Sequence, residues 1–302
     1  MMKELQEEIS RLKKETGTAI LAHSYQSPEI LEIADIRGDS FALSVAAQKL
    51  AAERILLCGV RFMADTAKLL NPEKTVILPV EQAVCPMADQ IPPERVRRFK
   101  ESHPDYMVVA YINTTTRLKA ECDVCVTSSS ALNIVRRLPD RPILFIPDAN
   151  LGGWLKRQLP KREIELWDGC CPVHAAITAQ DCERMKARYP HAKLAVHPEC
   201  REEVLAYADY VGSTSGILDF AERCEGDVII GTEKSISDWL SLRHPQRRFP
   251  VLSKKLLCSN MRLTGLADVY RALNGTGGEE IVMDPALAEA AKRPIEEMIR
   301  LG

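Results

Sequence analysis

The chain has 302 residues, 46% of them hydrophobic and 27% charged, with 40 basic against 42 acidic side chains. A formal net charge of −2 gives no field for gathering nucleic acid, so any anionic ligand has to be held locally. No apolar stretch approaches the roughly 18 residues of a membrane span, so the expectation is a soluble, cytoplasmic protein with small-molecule ligands and neither nucleic-acid nor membrane partners.

Residues 1–15 are charged, with Leu5, Ile9 and Leu12 at helical spacing, and read as a surface helix rather than a signal peptide. Four strand-like runs follow: TAILAH ending at His23, EIADI around Asp35, RILLCGV from Arg54 and TVILPV from Thr75. Helix-like segments at 44–53 and 65–70 lie between them, and strands alternating with helices predict an α/β unit with a parallel sheet. The same order recurs in YMVVAYIN, ECDVCV, RPILFIPD and REIELW, and again in AKLAVHPE, YADYVG, GDVIIGT and RRFPVL. Asp35, Asp123 and Asp209 are spaced by 88 and 86 residues, and so are His23, Tyr111 and His197. That period is far longer than a solenoid repeat. It predicts three homologous three-layer αβα domains with short parallel sheets about a pseudo-threefold axis: residues 1–88, 89–175, and 176–302 with the C-terminal helices.

Ten cysteines in a chain without an export signal point to metal ligation or catalysis for those placed by design. Cys85, Cys171 and Cys258, spaced by 86 and 87 residues, each close a predicted fourth strand in phase with the repeat. Cys122 and Cys125 imitate a C-x-x-C motif but fall in the second strand and read as buried packing residues. Cys170 would face away from Cys171, while Cys58, Cys182, Cys200 and Cys224 have no partners in phase.

Ligands of parallel α/β sheets sit beyond the carboxyl ends of the strands. Those ends carry His23 and Tyr25, Tyr111 and Asn113, and His197 and Glu199. Five residues past each aligned aspartate stands a hydroxyl, Ser40, Ser128 or Thr214, at a predicted helix start. Each alone reads as an ordinary N-cap; three in phase around one pocket read as sites for carboxylate or phosphate. Three thiolates meeting there suit either a Cys₃His zinc site completed by His174 or a 4Fe-4S cluster with one iron free of thiolate. The lack of a close local cysteine pair in this triplet favours the cluster.

The chain resembles the quinolinate synthase family of bacterial NAD biosynthesis. The resemblance rests on H-S-Y-Q at 23–26, G-D-S at 38–40, F-M-A-D-T-A-K at 62–68, Y-I-N-T at 111–114 and V-T-S-S at 126–129. It extends through C-P-V-H at 171–174, H-P-E-C at 197–200, S-T-S-G at 213–216 and C-S-N-M at 258–261. It implies a 4Fe-4S cluster on Cys85, Cys171 and Cys258, and condensation of iminoaspartate (iminosuccinate) with dihydroxyacetone phosphate to quinolinate. It also implies that His23, Ser40, Tyr111, Asn113, Ser128, His197, Glu199 and Thr214 line the substrate site. Ser130, where the family pattern suggests asparagine, and Cys170 depart from it. Glu199 is the expected general base, in a pocket expected to raise its pKa, with His197 beside it. Tyr25 and His23 would pass protons or hold the phosphate-bearing unit. An unstable imine implies functional coupling to an aspartate oxidase or dehydrogenase. Two other readings stay open from the residues: a zinc-stabilised dicarboxylate-binding protein and a hydro-lyase of the aconitase type.

Overall fold

A computed structural model describes residues 2–302, and among them the strands form three sheets. The first third runs α1 (Met2–Glu15), β1 (Thr18–His23), α2 (Pro28–Ile33), β2 (Ile36–Gly38), α3 (Ser40–Lys49), β3 (Arg54–Cys58), α4 (Arg61–Leu70) and β4 (Thr75–Leu78). The second runs α5 (Pro93–Ser102), β5 (Met107–Tyr111), α6 (Thr116–Lys119), β6 (Val124–Val126), α7 (Ala131–Arg137), β7 (Ile143–Ile146), α8 (Ala149–Gln158) and β8 (Ile164–Leu166). After the short α9 (Pro172–Ala175), the third repeats the order. It comprises α10 (Ala179–Arg188), β9 (Lys193–Val196), α11 (Glu202–Leu205), β10 (Tyr210–Val211), α12 (Thr214–Arg223), β11 (Val228–Gly231) and α13 (Lys234–Arg243). The chain closes with α14 (Leu266–Leu273), β12 (Glu279–Glu280) and α15 (Pro285–Leu301).

The strand orders are β12-β4-β3-β1-β2, β6-β5-β7-β8 and β10-β9-β11, with all pairs parallel except β12 on β4. The fold is thus α/β, built of short parallel sheets in αβα layers. β1 is buried at every position, which suits an unbroken apolar run covered by helices on both faces. The repeat extends to single hydrogen bonds. Asp35, Asp123 and Asp209 each accept at Oδ2 from the backbone N–H of Ile20, Val108 and Leu194, at 2.8, 2.7 and 2.9 Å. Their own N–H groups donate back to the carbonyls of the same three residues. A lysine from the helix in front of each first strand, Lys13, Lys100 or Lys186, pairs with the aspartate. The phase of the aspartates therefore reflects one backbone clasp made three times, joining the start of the second strand to the first.

The structure departs from the sequence pattern in two places. The cysteines are not at strand ends: Cys85 and Cys171 lie seven and five residues past β4 and β8, in loops. In the third sheet the fourth strand shrinks to one bridge, Ile230 to Val251, because Pro250 has no N–H to continue a ladder. The C-terminal segment also leaves the third sheet. Residues of α14 pack on α1 and β3, β12 pairs with β4, and α15 lies across α4, α6, α7 and β6.

Replacing Asp209 by Ala is expected to lower stability by about 1–2 kcal/mol, because a partly buried charge-assisted bond to Leu194 N–H is lost. Lys193→Met, which removes only the exposed ion pair, is expected to change stability by less than about 0.5 kcal/mol. Urea melts of the two variants check the difference.

Candidate active site

The carboxyl ends of the strands converge on one cavity of about 690 Å³, counted to its opening. Its polar lining includes His23, Tyr25, Ser40, Tyr111, Asn113, Ser128, His197, Glu199 and Thr214, together with Cys85, Cys171 and Cys258. Val60, Phe62, Met63, Val84, Met87 and Met261 supply an apolar wall. All the site residues nominated from sequence thus line a single space.

Strand register explains the arrangement. Ala22, Ala110 and Val196 pair with Cys58, Ile146 and Gly231, so His23, Tyr111 and His197 occupy one position in three sheets. Two residues on stand Tyr25, Asn113 and Glu199. In two of the sheets the histidine braces this turn: His23 Nδ1 accepts from Tyr25 N–H at 3.1 Å, and His197 Nδ1 from Glu199 N–H at 3.3 Å. A backbone N–H only donates, so Nδ1 is bare in both rings and a neutral ring carries its proton on Nε2. His197 Nε2 then donates to Ser128 Oγ at 3.2 Å.

In the first and third sheets the hydroxyls expected as caps sit one residue further in: Asp39 and Ser213 are the capping side chains, accepting from the N–H groups of Ala42 and Gly216. In the second sheet Thr127 accepts from Ser130 N–H in the turn before α7, and Ser128 lies in that turn. Ser40 and Thr214 are then first residues of their helices. Because a neighbouring side chain satisfies the backbone, the Ser40, Ser128 and Thr214 hydroxyls are left to line the cavity, where Thr214 Oγ1 donates to Tyr25 Oη at 3.0 Å. Ser215 Oγ donates to Asp39 Oδ2 at 2.6 Å, tying the helix starts of the third and first sheets together.

Each cysteine loop hangs from the same backbone bond. Arg61, Ala149 and Lys234 donate to Ala83, Gly169 and Leu256 at 2.7, 2.7 and 2.8 Å, two residues before Cys85, Cys171 and Cys258. Backbone N–H groups then face each sulfur: Ala88 and Met87 at Cys85, His174 at Cys171, Met261 and Asn260 at Cys258. The N–H of Cys171 donates to Asp148 Oδ2 at 2.9 Å, and that of Cys258 to Glu233 Oε1 at 3.4 Å. Burial pushes the Cys85 thiol up to about 12 and raises Cys171 and Cys258 as well. Thiols so placed ionise only when a cation supplies compensating charge, and N–H groups aimed at sulfur are what a thiolate-bound metal group calls for. Cys171, His174 and Glu199 also offer ligand atoms within 4.8 Å of one another, close enough to share one metal ion.

Glu199 corrects the sequence expectation. Burial alone would raise its pKa, but His197, His174 and a hydrogen bond from Tyr111 outweigh it and hold the carboxyl below its ordinary range. Tyr111 Oη donates to Oε1 at 2.5 Å and His174 Nδ1 to Oε2 at 2.7 Å. Burial, opposed by Asp39 and Glu199, pushes His23 down to about 4, and burial likewise brings His197 to about 4. Both rings are therefore neutral near pH 7. Burial, with the Glu199 charge next, raises both Tyr25 and Tyr111, which stay phenols.

Some residues that shape the site carry no advance signal. His174 is legible only as a zinc candidate, three residues after Cys171. Lys119 is fully buried, donates to the carbonyls of Ile112 at 2.8 Å and of Thr114, and so braces the turn bearing Asn113. A lysine on a short helix reads as surface unless the fold is known. Thr232 is also fully buried and bonds Tyr25 Oη at 2.6 Å. Asn113 Oδ1 is buried with no partner, an acceptor left for a ligand's N–H or O–H.

The histidines make the fold acid-labile. With folded pKa values near 4 against about 6.5 unfolded, the unfolded chain binds more protons between those pH values, so stability falls as pH drops through that window. Each ring is expected to remove about 2 kcal/mol by pH 5, and Glu199 adds a further loss below its ordinary pKa. Urea melts at pH 7 and 5 should show this, and His197→Gln should flatten about half of the histidine-dependent slope.

A family model described as quinolinate synthetase A protein matches residues 7–300. A quinolinate synthase of Clostridioides difficile (strain 630) is 44% identical over 291 residues, covering 96% of both chains. One from Aquifex aeolicus (strain VF5) is 44% identical over 307 aligned positions, covering 100% of this chain and 95% of its own. One from Caldicellulosiruptor saccharolyticus is 43% identical over 302 positions, covering 100% and 99%. Taken with three thiols and a buried carboxylate at one cavity, this similarity along nearly the whole length makes the chain an enzyme belonging to the quinolinate synthetase A family.

Proposed function

We propose that this enzyme is a quinolinate synthase that condenses iminoaspartate with dihydroxyacetone phosphate to form pyridine-2,3-dicarboxylate, phosphate and two waters. The observation that carries the reading is the meeting of Cys85, Cys171 and Cys258, one from each sheet, at a cavity ringed by hydroxyls and carrying one ionised carboxylate. In this reading the three sheets belong to three repeats about a pseudo-threefold axis, with domains near 1–88, 89–175 and 176–302. The enzyme works in the cytoplasm, its imine supplied by an aspartate oxidase or dehydrogenase.

The three thiols fit a 4Fe-4S cluster, because each is buried and faced by backbone N–H groups. When bound by three thiolates, such a cluster leaves one iron open as a Lewis acid for oxygen groups. The chain's own residues do the rest. Ser40 and Thr214, at helix starts, hold carboxylate and phosphate oxygens with hydroxyl and backbone N–H, and Ser128, in the turn before α7, does so with its hydroxyl. Asn113 Oδ1 takes a donor from the nitrogen-bearing substrate. Neutral His23 offers its Nε2–H to developing negative oxygen, while the Nε2–H of His197 orients the Ser128 hydroxyl. Glu199 is the base that accepts carbon-bound protons released during the dehydrations, and its low pKa is relieved as ligand binding disturbs the His174 and Tyr111 bonds. The apolar wall excludes water that would hydrolyse the imine.

A second reading rests on the Cys171, His174 and Glu199 group, which could hold a single zinc ion in a binding protein. Anaerobic purification separates the two. About four irons per chain with a brown colour, and quinolinate formed from both substrates, are expected; one zinc, no colour and no product would sink the first reading. Cys85→Ser, Cys171→Ser or Cys258→Ser should each lose iron and activity together. Glu199→Gln should retain its iron yet lose turnover by at least about 100-fold.

A further inference from the structure

Two of the three turns that leave the central strands are braced by their own histidine, and the third cannot be. His23 Nδ1 accepts from Tyr25 N–H and His197 Nδ1 from Glu199 N–H. In both turns a backbone bond spans three residues, from Gln26 N–H to the His23 carbonyl at 2.9 Å and from Cys200 N–H to that of His197 at 3.0 Å. Tyr111 has no ring nitrogen, and its hydroxyl is taken by Glu199. Its turn is tighter: Thr114 N–H donates to the Ile112 carbonyl at 2.8 Å, a bond across two residues with Asn113 in the middle.

What holds this turn is a lysine. Lys119 stands eight residues past Tyr111, where the other repeats carry Leu31 and Leu205 eight residues past His23 and His197. It is fully buried at the end of α6. Its Nζ donates to the Ile112 carbonyl at 2.8 Å and to the Thr114 carbonyl, so it clamps the backbone on both sides of Asn113. The same Nζ lies 5.4 Å from the centre of the Phe62 ring, which belongs to α4 and lines the cavity. Withdrawing an amine from water is costly, and leucine fills the equivalent place twice without that cost; the two carbonyls account for the lysine. Asn113 Oδ1, which the clamped turn carries into the cavity lining, is buried with no partner.

We infer that Lys119 is a positioning residue that does for the second turn what the histidines do for the other two, aiming Asn113 Oδ1 at an N–H or O–H of the bound molecule. Without it the buried carbonyls of Ile112 and Thr114 each lose a donor, the turn opens to find another, and the amide leaves its place. Lys119 acts on the ligand through Asn113. For its kinetic test the inference rests on the quinolinate synthase reading; the hydrogen-exchange test does not.

The experiment uses the full chain purified anaerobically, as wild type, Lys119→Met, Lys119→Gln, Asn113→Ala and the double variant Lys119→Met with Asn113→Ala. Methionine keeps the length and removes the donors. It should raise KM for the imine, generated from oxaloacetate and ammonia, by about 10-fold, with kcat within about threefold and iron content unchanged. Asn113→Ala should raise KM to the same degree, and the double variant should match either single one within about twofold, because both remove one interaction. A methionine variant with wild-type KM, a loss of iron or of kcat in its place, or additive effects in the double variant overturn the inference. Amide-resolved hydrogen exchange gives the independent measurement. Thr114 N–H should exchange at least about 10-fold faster in Lys119→Met, while Gln26 and Cys200 N–H, in the two turns braced by histidine, keep their rates. An unchanged rate at Thr114, or equal acceleration at all three, overturns it. If the wild type forms no quinolinate, the functional reading alone fails and the exchange rates still decide. If the methionine variant does not fold, Lys119→Gln, which keeps a donor for one carbonyl, is held to the same outcomes with effects of about threefold.

Discussion

A carboxylate withdrawn from water has to be met by donors, and Glu199 sets this demand on the centre of the molecule. Its two oxygens are taken by Tyr111 from the second sheet and by His174 from the segment that follows it. Its backbone carbonyl is held by Asn150 Nδ2, from α8, at 3.0 Å. A loose arrangement would leave the charge unpaired, so the three sheets are obliged to meet at one geometry. Other polar bonds close the same seams: Gln26 to the Met261 carbonyl at 2.7 Å, and Gln90 to both the N–H and the carbonyl of Cys170 at 3.0 Å. Apolar packing joins the first and second sheets in one core, and directed hydrogen bonds from Asn150 and Ser215 help fix the third sheet against them.

The same dryness decides which charges the cavity tolerates. Burial keeps His23 and His197 neutral and the thiols and phenols protonated around the ionised Glu199. Asp148 is pushed up to about 7 by burial and then by the Glu199 charge, so a second full negative charge beside the first is disfavoured. Such a site favours groups that bring positive charge or directed donors. A metal group on the thiols, a nitrogen-bearing substrate against Asn113 Oδ1, and anionic oxygens confined to the helix starts share this requirement.

Much of this was legible in the sequence because each phased residue performs a backbone task that recurs. Asp35, Asp123 and Asp209 clasp strands, and His23, Tyr111 and His197 end central strands, so the period of 88 and 86 residues exposed the repeat without a structure. What misled or stayed hidden depends on neighbours distant in sequence. The cysteines fell on loops because the fourth strands stop short of them, at Leu78 before Pro79, at Leu166, and at the single Val251 bridge. Asp39 and Ser213 took the capping task from the hydroxyls beside them. Glu199 stays charged because His174 reaches it from 25 positions away, and proximity of that kind has no period. Lys119 looked like surface until α6 was seen turning its side chain inward beneath Ile112 and Thr114. The C-terminal helices dock on sheets that the repeat alone could not name.

The places where the repeat is kept and where it is broken divide the labour between fold and chemistry. Clasps and the bond that hangs each cysteine loop occur three times and the side-chain cap twice, and they position the backbone. Val60, Asp148 and Glu233 are equivalent by register, yet only the last two offer a carboxylate to a cysteine N–H. Tyr25, Asn113 and Glu199 share one position and differ in chemistry, as do Gly59, Pro147 and Thr232. A symmetric frame with identical side chains would present three equal faces to its ligand and could not tell one end of an asymmetric substrate from the other. By varying the residue one to three places past the strand ends, the chain puts a base, an acceptor amide and a phenol on three walls of one cavity. The backbone repeat is what makes those walls converge; the broken positions are what make them unequal.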